Sequence, residues 1–258
     1  MATSSDFEYM RLEREGKLAW LTFTRQRYLN AMNMAAAEEL HRAATSIADD
    51  AEARILIVRG EGRAFSTGID LKELAAGGTS MRYFRRWDEA LRVFETMEKI
   101  VIAGVHGYCL GGALQLALAC DIRVSTPDCQ LGLPAIKESL IPGLGTWRLP
   151  KYIGWGRAKR MILGGENIRG EEALAIGLVD HVAPAESFFS HVDAIAGRYV
   201  RACSTGTRMS KLLTSRAFEL DYDAFFQHYL ELQERAFTSA DASEAKRAYL
   251  AKEDPVWK

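Results

Sequence analysis

Gly107-Tyr108-Cys109-Leu110-Gly111-Gly112-Ala113-Leu114-Gln115 follows a wholly apolar run over residues 100–105 and opens a short apolar helical stretch over 111–120. A second glycine turn, Ala64-Phe65-Ser66-Thr67-Gly68-Ile69-Asp70-Leu71-Lys72, follows the run RILIVRG over 54–60 and precedes another helical stretch. Both read as junctions from a buried strand into a helix. Such a junction leaves N–H groups without partners at the helix start, and the aligned peptide dipoles favour negative charge there. Glycine lets a ligand approach the backbone closely. Two such amides converging on one carbonyl oxygen make an oxyanion hole, and removing one donor from such a hole costs about 3–4 kcal/mol of transition-state stabilisation. Taken singly, each turn is also ordinary connection chemistry.

Working outward, residues 17–24 alternate with period two. Leu18, Trp20 and Thr22 share one face, and Ala19, Leu21 and Phe23 share the other. After Asn33 the period becomes helical, with Met34, Ala37, Leu40, Ala44 and Ile47 on one side. Residues 80–99 read as a helix whose apolar stripe is Tyr83, Phe84, Trp87, Leu91 and Phe94, and residues 122–125 as a further strand. This alternation predicts an α/β core with largely parallel strands. Residues 198–217, 221–237 and 241–252 read as helices with no strand pattern between them. The expected division is a core over 1–197 and a helical C-terminal region over 198–258, packed on that core or on another subunit.

The chain has 258 residues, 48% of them hydrophobic, which suffices for a substantial core. A net charge of −1 argues against nucleic acid as a partner. No apolar run reaches transmembrane length, so no membrane partner is expected. The first ten residues carry early acidic groups and no apolar h-region, which predicts neither a signal nor a transit peptide. Cys109, Cys120, Cys129 and Cys203 form no CxxC pair, and the five histidines show no HxxxH spacing, so no metal site is expected. Scattered thiols suit a reducing cytoplasm. G-x-S-x-G is absent from the sequence, so a serine-hydrolase elbow is unsupported.

Five motifs in order carry a family resemblance. Gly62-Arg63-Ala64-Phe65-Ser66-Thr67-Gly68-Ile69-Asp70-Leu71-Lys72-Glu73 resembles the G-x-A-F-S/A-A-G-A-D-L/I-K-E motif of the crotonase (enoyl-CoA hydratase/isomerase) superfamily. Val105-His106-Gly107-Tyr108-Cys109-Leu110-Gly111-Gly112-Ala113 is similar to its V-N-G-x-A-x-G-G-G motif, and Cys120-Asp121 to the C-D that follows. Leu131-Gly132-Leu133-Pro134, with Pro142-Gly143-Leu144-Gly145 further on, resembles F-G-x-P-E…P-G-x-G. ALAIGLVDHV over 173–182 resembles A-x-x-x-G-L-V-x-x-V, and Asn30-Ala31-Met32-Asn33 resembles N-A-L/M-N. The resemblance implies a spiral of ββα turns with a helical C-terminal region that drives assembly into a homotrimer, often a hexamer. It implies an acyl-CoA thioester as substrate and the amides of Ile69 and Gly112 as oxyanion donors. Gly68, Asp70, Leu71, Lys72 and Gly111 would surround the substrate. No metal or redox cofactor is implied, since CoA enters as part of the substrate.

The match breaks where a hydratase of this family keeps two glutamates. Those positions are Gln115 and Ala135 here. Adding water needs groups that move protons, and each is worth about 10²–10⁴-fold. Gln115 can orient water or an acyl group but takes no proton, and Ala135 does neither. Glu138, three residues on, is the remaining carboxylate, and beside an apolar wall it would serve as a single base. Near the family's Gln stands Trp147, a candidate wall of the acyl pocket. His106 reads as a turn brace and Cys109 as a small buried thiol. Arg25, Arg27 and Lys72 are candidate CoA contacts. The tail Ala248-Tyr249-Leu250-Ala251-Lys252-Glu253-Asp254-Pro255-Val256-Trp257 resembles the family's A-F-x-x-K-R-x-P-x-F, which adds Lys252 and Trp257. The expected function is an isomerase or specialised lyase working through a thioester enolate. A CoA-thioester hydrolase, a decarboxylase and a non-catalytic acyl-CoA binder remain as alternatives.

Overall fold

The apolar runs over 54–60 and 100–105 lack alternation because both of their faces are covered. In the computed structural model, which describes residues 3–257, they form the strands Ile55–Gly60 and Ile100–Val105 at the centre of a seven-stranded sheet. Leu56, Val58, Val101, Ala103 and Val105 face one core, together with Leu21 and Phe23. Ile55, Ile57, Ile100 and Ile102 face a second core on the other side. Continuous apolar sequence is what a doubly covered parallel strand requires.

Across the large sheet the strands run Thr3–Asp6, Met10–Glu15, Leu18–Phe23, Ile55–Gly60, Ile100–Val105, Ile122–Ser125 and His181–Val182. The first three pair antiparallel and the rest parallel. Short strands Tyr108–Leu110, Gln130–Gly132 and Asn167–Arg169 make a second sheet. From Ile100 the chain therefore runs long strand, short strand, then helix Gly112–Ala119, and from Ile122 it again runs long strand, short strand and helical turn. This is the expected ββα spiral. Helices Met34–Asp49 and Met81–Thr96 cover the first core. The first is capped by Asn33, whose side chain accepts from the Ala36 amide at 2.9 Å.

The boundary expected at residue 197 falls inside the helix Phe188–Ala202. Its Phe188, Val192, Ile195 and Ala196 close the second core, and Trp20 donates its Nε1–H to Asp193 at 3.1 Å. That helix belongs to the core because without it the Ile55–Ile57 face would lie open. The helix expected over 198–217 is accordingly two, broken at Cys203 and Ser204, with Ser204 capping Thr205–Ser215. Helices Tyr222–Phe237 and Ala240–Ala251 follow. The C-terminal helices are tied to the core by the buried Lys211, whose Nζ donates to the carbonyls of Phe94 and Lys99 and pairs with Asp121 at 2.9 Å.

Candidate active site

Both glycine turns leave the same end of the large sheet, and they run side by side. The Phe65 amide donates to the His106 carbonyl, the Ser66 amide to Tyr108, and the Leu110 amide to Ser66. Gly68 has φ of +82°, and a Cβ there would stand 2.5 Å from the Leu110 carbonyl oxygen and 2.9 Å from the Gly112 nitrogen. Only glycine fits such an approach. Met32 bonds to both neighbours of Ile69, donating to Gly68 at 2.7 Å and accepting from Asp70 at 2.9 Å. This ladder turns the Ile69 N–H to the opposite side. Gly112 begins its helix, so its N–H has no intrahelical acceptor. Among the described residues neither amide has a hydrogen-bond partner.

Ile69 and Gly112 both line a cavity of about 280 Å³. It is also lined by Thr67, Leu71, Tyr83, Phe84, Trp87, Asp88, Leu110, Gly111, Gln115, Pro134, Ala135 and Glu138, with residues 140–143 completing the wall. That volume is near the lower end for ligand cavities, so it suits an acyl group and its thioester and leaves a nucleotide outside. A larger cavity of about 460 Å³ lies between the core and the C-terminal helices, near Lys151, Tyr152, Lys211 and Phe218. Size is no guide here: the two unpartnered amides open only into the smaller one.

The floor is tightly built. The Trp87 ring packs on Gly112, and a Cβ there would stand 3.2 Å from it. Gln115 is buried, with Oε1 lacking a hydrogen bond. Gly143 lies over it, at a distance where an added Cβ would be 2.8 Å from that oxygen and 3.6 Å from Asp88 Oδ2. Burial pushes the Asp88 carboxyl above the usual range, against the pull of Arg148, which donates to Oδ1 at 3.2 Å. Ala135 and Glu138 come from the 3-10 turn Pro134–Glu138, with Glu138 at the exposed rim.

The structure thus brings Ile69, Leu71, Gly111, Gly112, Gln115, Ala135 and Glu138 to one cavity, with Gly68 directly behind. Asp70 has a different task. It caps the helix Leu71–Ala75 and bonds Arg25 at 2.6 Å. Burial opposes its ionisation, but the Arg25 hydrogen bond and the cap amides outweigh this and hold its pKa below the ordinary value. Arg25 is in turn held by Asp70 and the Ala31 carbonyl and lies over the Tyr28 ring. Arg27 and Lys72 are exposed at this end of the sheet, with the Lys72 ammonium over Tyr28.

One expectation is corrected. Trp147 does not line the small cavity. It sits on the helix Gly145–Ile153, which turns Leu149 and Arg148 inward, so Trp147 faces outward against Lys151 four residues on. Trp257 lies at the far end of the strands, since its Nε1 donates to the Arg201 carbonyl and its own carbonyl accepts from Lys17. Lys252, an exposed helix cap, precedes it. Within one chain neither side chain lines the cavity, and Trp257 sits by Lys17, just before the strand Leu18–Phe23 whose other end lies by the site. His106 braces the turn as expected, bonding the Gly62 carbonyl at 3.1 Å, and burial lowers its pKa. Cys109 is buried, and burial pushes its thiol up.

Asp88, Tyr83, Phe84 and Trp87 lie in the segment 75–100 on which the pocket shape depends, but the sequence singles out none of them as a site residue. The signal was present but ambiguous: all four lie on the helix read as an amphipathic cover, and Asp88 follows the stripe residue Phe84 by one turn.

Two glycine-turn amides over one small cavity, set in a ββα spiral, define an acyl-handling site of the crotonase kind. The model of the Enoyl-CoA hydratase/isomerase family matches residues 13–258, and the chain belongs to that family. It is 32% identical over 245 residues to the short-chain-enoyl-CoA hydratase of Clostridium acetobutylicum, covering 93% of this chain and 94% of that one. It is 36% identical over 235 residues to a probable enoyl-CoA hydratase of Bacillus subtilis, covering 89% and 91%. The solved enoyl-CoA hydratase from Bacillus anthracis superposes with a TM-score of 0.90 at 30% identity, over 97% of this chain and 99% of that one.

Proposed function

We propose that this member forms a thioester enolate and acts as an isomerase or specialised lyase, in preference to ordinary crotonyl-CoA hydration. The single observation behind this is the pairing of two unpartnered amides with Gln115 and Ala135 in one cavity. The amides supply the charge stabilisation common to the family. Gln115 and Ala135 stand where the resemblance puts the two hydratase glutamates, and neither moves a proton. The names of the relatives describe hydratases; those names belong to those proteins.

In this account the thioester carbonyl oxygen rests between the Ile69 and Gly112 amides. Charge that develops there in the enolate meets preorganised donors, worth about 10²–10³ in rate each. Gln115 orients the acyl group, and Glu138 takes the α-proton at the rim. Outside, Arg27 and Lys72 offer charge to the CoA phosphates, with Lys252 and Trp257 serving a neighbouring subunit's CoA. A homotrimer or hexamer is proposed on the exposed aromatic side chains of the C-terminal helices, including Phe218, Tyr222 and Phe237. Four buried thiols suit the cytoplasm.

The test is a panel of enoyl-, aryl- and β-keto-acyl-CoA thioesters incubated with the protein and followed by mass spectrometry and chromatography. An isomer of unchanged mass supports the proposal. Gain of one water at hydratase rates contradicts it, and loss of CoA or CO₂ selects the hydrolase or decarboxylase. A non-catalytic binder, favoured by the exposure of Glu138, would bind the panel and change nothing.

A further inference from the structure

The small cavity holds a second carboxylate that the resemblance does not assign. Asp88 Oδ2 and Gln115 Oε1 approach one point beneath Gly143, at 3.6 and 2.8 Å from where its Cβ would be. The other oxygen, Oδ1, is fixed by Arg148, which is itself buried and held by Glu95 at 2.6 Å. The carboxylate is therefore oriented by one oxygen, and among the described residues the other has no hydrogen bond. Asp88 also lines a groove on the outer surface, with Arg85, Glu89, Arg92, Leu144 and Glu219. It is thus placed between the acyl cavity and solvent, by a route other than the mouth that CoA would fill.

We propose that Asp88 is a second acid–base group of this site, which donates a proton to the acyl carbon beyond the α-position while Glu138 works at the α-carbon. The proposal rests on the acyl-CoA reading above. The step balances without a co-reactant. On a β,γ-enoyl thioester, Glu138 removes the α-proton, and the C–H electron pair becomes the double bond between the thioester carbonyl carbon and the α-carbon of a dienolate. The carbonyl pair moves onto the oxygen held by Ile69 and Gly112. The dienolate then collapses: the thioester carbonyl re-forms, the pair between the carbonyl carbon and the α-carbon shifts to make the α,β double bond, and the former β,γ electron pair takes a proton from protonated Asp88 at the γ-carbon. Asp88 regains a proton from the outer groove, and Glu138 releases one at the rim. The product is the conjugated α,β isomer.

Several features suit Asp88 to this task. Burial favours its neutral, proton-donating form. Glu95 on the same helix adds to that, and Arg148 from the helix Gly145–Ile153 opposes it. The remaining charged groups near it, Arg85, Glu89, Arg92 and Glu219, lie in the groove. Glu138, by contrast, is exposed.

The experiment uses the intact protein with 3-hexenoyl-CoA. Asp88→Asn is expected to slow double-bond migration by about 10²–10⁴-fold, the worth of one acid–base group. Affinity for hexanoyl-CoA, read by calorimetry, and the melting temperature should stay near those of the parent. The parent rate should fall as pH rises through the Asp88 titration, and this alkaline limb should vanish in the variant. In D₂O the parent should place solvent deuterium at the γ-carbon, a readout that needs no variant. Migration by Asp88→Asn at the parent rate, an unchanged alkaline limb, or transfer of the substrate's own α-hydrogen to the γ-carbon overturns the proposal. A parent that binds hexanoyl-CoA but converts nothing also overturns it, leaving the binding site intact. A parent that binds no thioester at all overturns the underlying acyl-CoA reading instead.

Discussion

Gly68 shows how much of the site rests on one missing side chain. Its φ of +82° is unfavourable for any other residue, and a Cβ would press on Leu110 and on the Gly112 amide itself. Gly68→Ala should therefore displace one donor and reduce kcat by about 10²–10³-fold. Steady-state kinetics on whichever thioester the protein converts will check this, and a variant with the parent kcat would contradict the geometry. The four thiols make the opposite point, since nothing in the site uses them. Burial is the leading cause that raises the pKa of Cys109, Cys120, Cys129 and Cys203, with Cys120 and Cys129 pushed up to about 12. At neutral pH they stay protonated and enclosed. A disulfide reagent should find all four only after denaturation, and rapid labelling of native Cys109 would show that the turn opens.

At the scale of elements, caps position the two turns. Asn33 starts the long helix after the loop that pairs with Gly68, and Asn33→Ala should cost about 1 kcal/mol in chemical denaturation. Asp70 starts the helix after the first oxyanion turn. Its folded pKa lies below its unfolded one, so its stabilisation is complete above the unfolded value, near 4, and fades as pH falls through the folded value. Asp70→Asn should lower stability at pH 7 and narrow the gap between variant and parent in acid. A gap that is constant with pH would show that the Arg25 pairing contributes nothing.

This scale also explains what the sequence made legible. The strand Ile100–Val105 could be read to the residue because six apolar positions in a row fit only a doubly covered strand. The glycine turns were equally plain, because their backbone demands name the residue. The three-residue strands Gln130–Gly132, Asn167–Arg169 and Tyr108–Leu110 left no period to read, since pairing with distant partners defines them. The orientation of Trp147 failed for a related reason. Neighbours in sequence on a helix point about 100° apart, and motif position alone does not say which of Trp147 and Arg148 turns inward. Asp88 was missed because one helix serves as both cover and cavity wall.

At the scale of the whole molecule, the large sheet supports the site at one end of its strands and leaves the C-terminal tail at the other. In the proposed arrangement the tail's Lys252 and Trp257 therefore serve the CoA of a second copy. Exposed Phe218, Tyr222, Phe237, Tyr249 and Leu250 give the C-terminal helices an apolar face suited to that copy. Sedimentation equilibrium should give three or six times the chain mass of 28.8 kDa, and a stable monomer at micromolar concentration would contradict this arrangement.

The most direct test of the account is a crystal structure with acetoacetyl-CoA bound. The thioester carbonyl oxygen should lie about 2.7–3.1 Å from both the Ile69 and Gly112 nitrogens. A thioester seated elsewhere, or a carbonyl beyond hydrogen-bond reach of either nitrogen, would contradict it.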